Sequence, residues 1–118
     1  ALGIGHPHNL VADYRLGYGL FDCAMPTRDA RHGRLYAYTE DNNALSGDSL
    51  KYLYINDERH VKSSRPADEG CDCPLCSQYS LGYLHHLFKL NDSLYLRLAS
   101  LHNLRFMTRL TERLAREA

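Results

Sequence analysis

No run of apolar residues in this 118-residue chain approaches the roughly 20 that a membrane helix needs. The opening ALGIGHPHNL has neither the charged start nor the long apolar core of a secretion signal. The chain therefore reads as cytoplasmic and without a membrane partner. Net charge is missing as well, because 14 Lys plus Arg are matched by 14 Asp plus Glu. That excludes holding nucleic acid by bulk electrostatics and leaves only a local basic patch. There is no internal repeat and no low-complexity tract. With 44% hydrophobic and 24% charged residues the composition is that of a chain that folds.

Cysteine is scarce and unevenly placed. Of the four, Cys71, Cys73 and Cys76 fall within six residues and Cys23 stands far upstream. A Cys71–Cys73 bridge would close a strained ring, and three clustered thiols cannot all pair with one another, so a disulfide framework is a poor reading. Clustered thiols in a chain that reads as intracellular are metal ligands. The run CDCPLC offers three thiolates, and zinc completes such a set with one imidazole. His85, His86 and His102 are the candidates for the fourth position. The first two are adjacent, so they point in different directions on a helix, and each is equally well explained as an ordinary surface or core histidine. His102 could fold back onto the cysteines.

Along the chain, Ala1–Ile4 reads as a short buried strand, HNLVADYRLGYG as an amphipathic helix, and Leu20-Phe21 as a second short strand. That order is the order of a parallel βα repeat. Residues 34–39 and 49–56 read as two strands of a hairpin around a polar loop, and 57–70 as a surface connection. Tyr79, Tyr83, Leu84, Leu87 and Phe88 mark one helix. Asn91-Asp92-Ser93 is a capping cluster, and Leu94 to Leu114 form a longer second helix. A lone βαβ with a hairpin and two helices leaves its parallel strands uncovered, so the chain reads as part of a larger α/β assembly.

The run FDCAMPTRDARHG at 21–33 places Asp22 after a short strand, where barrel enzymes keep catalytic groups. Arg28, Arg31 and Arg34 follow at three-residue spacing in what reads as a charged loop, suited to phosphates. Residues 61–118 are mildly basic, with 8 Lys plus Arg against 6 acids. Arg105, Arg109, Arg113 and Arg116 form a stripe on the last helix that could extend an RNA-contacting surface.

Taken together, FDCAMPTR, the Gly3 and Gly5 pair 17 residues before Asp22, the C-x-C-x-x-C pattern with His102 beyond it, YLHHLF and LHNLRF resemble the C-terminal part of a bacterial-type tRNA-guanine transglycosylase, also called queuine tRNA-ribosyltransferase. The resemblance implies an α/β fold, the last two strands of a TIM (β/α)8 barrel carrying an inserted hairpin and helical zinc subdomain. The implied division is 1–33 for barrel units and nucleophile loop, 34–70 for hairpin and connection, and 71–118 for zinc knuckle and C-terminal helices. It further implies Asp22 as the nucleophile toward the wobble guanosine of tRNA, Leu2, Gly3 and Gly5 at the base, and Arg28 and Arg31 on the anticodon loop. Zn2+ would be held by Cys71, Cys73, Cys76 and His102, and guanine would be exchanged for a 7-deazaguanine, queuine or its precursor. A homodimer, or association with a chain supplying the rest of the barrel, follows from the same likeness. This sequence departs from the pattern at Leu2, where methionine is common, and at His32, where asparagine is usual. The family's second catalytic aspartate matches nothing here, so the chain by itself is expected to be inactive. The reading of a different class is a non-catalytic, zinc-stabilised tRNA-binding or dimerisation module on the same scaffold.

Overall fold

The computed structural model describes residues 7–17, 24–38, 50–68 and 70–117. Within them the order is α1 (Pro7–Arg15), α2 (Met25–Arg31), β1 (Arg34–Tyr38), β2 (Leu50–Tyr54), a 3-10 turn at Glu58–His60, α3 (Pro74–Gln78), α4 (Leu81–Lys89) and α5 (Ser93–Glu117). The strands expected at 1–4 and 20–21 lie outside the described residues, as does the loop of the hairpin.

The hairpin is antiparallel, with Arg34 opposite Tyr54 and Tyr36 opposite Tyr52. Successive side chains of a strand point to opposite faces, so Leu35 and Tyr36 enter different cores. Leu35 joins Ala30, Ile55, Leu75, Leu84, Leu87, Tyr95 and Leu98. Tyr36 joins Leu10, Val11, Leu50, Phe106, Leu110 and Leu114. The spine common to both is α5, whose N-terminal half serves the first core and whose C-terminal half serves the second. Between them sit His102 and Asn103, both fully buried.

Helix ends follow local chemistry. Asp92 Oδ1 accepts from the Leu94 amide at 2.9 Å and so caps α5, as the Asn91-Asp92-Ser93 cluster predicts. α4 closes in a Schellman turn: Asn91 takes φ 57, its amide donates to Phe88 and that of Asp92 to Leu87. Tyr79 is not part of this helix. It ends α3, and α4 starts at Leu81 with Ser80 Oγ accepting from the Tyr83 amide.

One further difference from the sequence reading concerns 25–31, which is a helix rather than a charged loop. Pro26 in its first turn has no amide to leave unpaired, and Pro26, Asp29 and Ala30 turn inward while Arg28 and Arg31 stay exposed. Gly33, at φ 87, makes the tight turn into β1.

The connection 57–70 is mostly exposed, as expected, but it is pinned to α4 through the amides of Leu81 and Gly82, which donate to the carbonyls of Arg65 and Ser63. A Cβ on Gly82 would stand 2.8 Å from the Ser63 carbonyl oxygen and 2.9 Å from that of Val61. Backbone cannot yield as a side chain tip can. Gly82→Ala should therefore lower stability by about 1–3 kcal/mol, read as a drop in the thermal midpoint.

Candidate metal centre

Cys71 and Cys73 sit in the turn before α3, Cys76 in α3, and His102 one third of the way along α5. Pro74 starts the short helix, and the Cys73 sulfur caps it by accepting from the Cys76 amide at 3.4 Å. The Cys73 amide in turn reaches the Cys71 sulfur at 3.5 Å. Backbone N–H groups pointing at sulfur favour thiolate. The four donor atoms all lie within 4.8 Å of one another.

Tetrahedral zinc, with bonds of about 2.3 Å to sulfur and 2.0 Å to nitrogen, needs sulfur–nitrogen edges of about 3.5 Å. His102 Nδ1 is 3.3 Å from the Cys73 sulfur and 3.4 Å from that of Cys76. The other ring nitrogen, Nε2, donates to the Tyr36 carbonyl at 2.7 Å. That bond places the proton on Nε2 and turns the Nδ1 lone pair toward the sulfurs, as ligand histidines require. The residues present fit a tetrahedral metal.

The electrostatics point the same way. Hydrogen bonds from Cys73 and Cys76 hold the Cys71 thiol far below its usual range, while hydrogen bonding to Cys71 and Cys73 pushes Cys76 up. Burial drives the His102 imidazole down, but Cys71, Cys73 and the Tyr36 carbonyl outweigh it and raise it to about 10, so a metal binding at Nδ1 would displace a proton there while Nε2 keeps its own.

Of the three histidines compatible with the sequence, His102 is the one in the cluster. His85 is buried elsewhere in α4 and His86 is exposed. Cys23, Asp22, Leu2, Gly3 and Gly5 lie outside the described residues. Arg28 and Arg31 share the outer side of α2, some way along the chain from the four ligands.

Two functional contacts escaped the sequence reading. Asn103 Oδ1 accepts from the Tyr36 amide at 3.1 Å, and its Nδ2 donates to the carbonyls of Pro26 and Arg34, each at 3.0 Å. One side chain therefore ties α5 to both β1 and the start of α2. A polar residue inside the buried stripe that runs from Ala99 through His102 to Phe106 was the available signal. The other contact is Arg105, whose guanidinium forks onto Asp72 at 2.7 and 3.3 Å, between the cysteines. Asp72 is held below its usual range by that hydrogen bond.

A Cys3His set whose histidine is oriented from behind defines this chain as an α/β protein with a cluster able to hold a metal ion. The chain belongs to the queuine tRNA-ribosyltransferase family, whose profile matches residues 1–118. It is 41% identical over 111 residues to the queuine tRNA-ribosyltransferase of Vibrio parahaemolyticus serotype O3:K6 (strain RIMD 2210633), covering 94% of this chain and 26% of that protein. Identity and coverage are the same for the enzyme so named from Shewanella halifaxensis (strain HAW-EB4). The chain thus spans about a quarter of the length of the curated relatives it matches. No described helix is long and apolar enough to cross a membrane.

Replacing Asn103 by leucine would strand the Tyr36 amide and the carbonyls of Pro26 and Arg34. At about 1–3 kcal/mol for each unsatisfied buried group, Asn103→Leu should lower the melting temperature by many degrees. All four ligands remain, so elemental analysis should find the parent's metal content.

Proposed function

We propose that this chain is the C-terminal part of a tRNA-guanine transglycosylase, replacing guanine at the wobble position of the anticodon with a 7-deazaguanine, queuine or its precursor. The family match over all 118 residues carries this reading. Residues 1–33 would supply the last units of the (β/α)8 barrel, 34–70 the hairpin and its connection, and 71–118 the zinc subdomain.

In the proposed reaction the Asp22 carboxylate attacks C1′ of the guanosine ribose. The glycosidic bond breaks, its electron pair leaves with guanine, and the departing base takes up a proton. The ring nitrogen of the incoming base then attacks C1′, loses its proton, and releases Asp22. Two inversions keep the sugar configuration. Leu2, Gly3 and Gly5 line the base site, while Arg28 and Arg31, both exposed on α2, hold the anticodon loop. That α2 is fixed at both ends of its backbone, through Asn103 and the turn at Gly33, favours this assignment, because a rigid helix presents its arginines without an ordering cost.

Cys71, Cys73, Cys76 and His102 would hold Zn2+, which here supplies folding free energy rather than chemistry. Partner association, as a homodimer or with the chain that supplies the remaining barrel, would cover surface that this segment leaves open. The enzyme would work in the cytoplasm, and this segment alone would be inactive.

Two measurements test the proposal. In the enzyme that carries this chain, Asp22→Asn should abolish the covalent tRNA adduct on a denaturing gel and labelled guanine exchange, with tRNA binding retained; an adduct that persists would remove Asp22 from the mechanism. Elemental analysis should give one zinc per chain. Stripping it with a chelator should loosen the 71–78 turn and α5 together, lowering helical circular dichroism; a metal-free protein with its full helical signal would refute the structural zinc.

A further inference from the structure

The C-terminal half of α5 and the connection 59–70 face each other across a cleft of about 780 Å³. The helix lines it with Arg105, Arg109, Arg113 and Arg116. The opposite wall and the hairpin add Arg59, Arg65 and Lys51, and the carboxylates in the lining are those of Asp68 and Glu112. Asp57 and Asp72, outside the lining, pair with Arg59 and Arg105. Among the described residues the cations still exceed the carboxylates by three, in a chain whose net charge is zero.

The cations are not alike. Arg105 is committed to Asp72 in the cysteine turn and also faces Glu112 at 3.8 Å. Arg109 and Arg113 lie over the Tyr38 ring at 5.6 and 5.2 Å, which fixes their planes. Arg109 Nη1 and Asp68 Oδ2 form an ion pair at 3.7 Å, beyond hydrogen-bond reach, and both atoms are buried with no hydrogen-bond partner. A buried guanidinium donor without an acceptor is costly unless one arrives. Arg65 and Arg116 are exposed on the two walls. Burial pushes the His60 imidazole below its usual value.

What is missing decides the ligand. Proteins that take single-stranded RNA offer exposed aromatic faces to the bases. The one benzenoid ring in this lining, Tyr38, is packed against Phe106 at 4.7 Å and covered by the two guanidinium groups. Among the described residues the cleft therefore offers charge to phosphates and no open ring face to bases.

We propose that this cleft takes the sugar-phosphate backbone of a base-paired RNA segment, a sequence-independent contact separate from the grip of Arg28 and Arg31 on the anticodon loop. It rests on the tRNA-modifying reading above and adds where and how the stem is held. The contact should be strongly salt-dependent, with log K changing by about 0.9 per phosphate for each tenfold change in salt.

The experiment compares Arg65→Ala with Arg116→Ala, as a double variant, against the parent enzyme and against Lys62→Ala with Lys89→Ala, a charge-matched pair outside the cleft. Binding of a tRNA transcript and of an unrelated RNA duplex is measured across a salt series, with melting curves confirming the fold. The cleft pair should reduce the magnitude of the slope by roughly one to two and weaken both RNAs by the same factor; the control pair should change neither. A parental slope in the cleft pair overturns the proposal. So does loss of polyglutamate binding with RNA affinity intact, which would assign the cleft to an acidic protein. Guanine exchange separates the two levels: exchange with an unchanged slope removes the cleft alone, whereas a parent that neither binds tRNA nor exchanges guanine removes the functional reading with it.

Discussion

Tyr36 is the residue on which the architecture turns, and it does so through its backbone. Its amide donates to Asn103 and its carbonyl accepts from His102, so two consecutive residues of α5 satisfy both main-chain groups of one residue of β1. Those groups point away from β2, along the edge of a two-stranded sheet. An open edge is normally a liability in a folded chain. Among the described residues the helix closes it with side chains instead of a third strand, and His102, a member of the Cys3His cluster, is one of the two that do so.

The phenol of Tyr36 extends the same arrangement. It donates to Asp29 at 2.5 Å, and burial together with that acceptor keeps it protonated well above neutral pH. Asp29 also faces Arg34 at 3.8 Å. With Asn103 bonded to Pro26 and Arg34, helix α2 is held from its first turn to the strand that follows. The metal ligands, the hairpin and the arginine-bearing helix are therefore one connected polar network between two apolar cores.

Local chemistry was legible in the sequence. The thiol cluster, the alternating strands, the capping aspartate and the stripe of α5 all depend on neighbours within a few residues. What the sequence hid was long-range. Residue chemistry alone leaves His102 level with His85, and only the resemblance through LHNLRF singles it out; the Tyr36 carbonyl that orients it is 66 residues away. The carboxylates facing Arg105 and Arg109 are likewise far off in the chain, as is the Tyr38 ring under Arg109 and Arg113, so arginines spaced four, four and three apart read as one stripe although three of them have partners. Helix α2 was missed for another reason: arginines and an aspartate suggested a solvated loop, and the weight belonged with Pro26, a helix starter, and with the inward spacing of Asp29 and Ala30. The barrel strands and Asp22 fall outside the described residues, so they stand on the resemblance and the family match.

The edge contact also constrains how this sequence can change over generations. Side chains alternate along β1, and so do the directions of its main-chain groups. Inserting or deleting one residue within Arg34–Tyr38 would turn the Tyr36 position toward β2, exchange the two cores' occupants, and present α5 with the wrong pair of main-chain groups. His102 would lose the carbonyl that sets its tautomer even though every ligand remained in place. Length variation in this lineage is therefore expected outside that strand, with the metal ligand acting as the gauge that fixes its count.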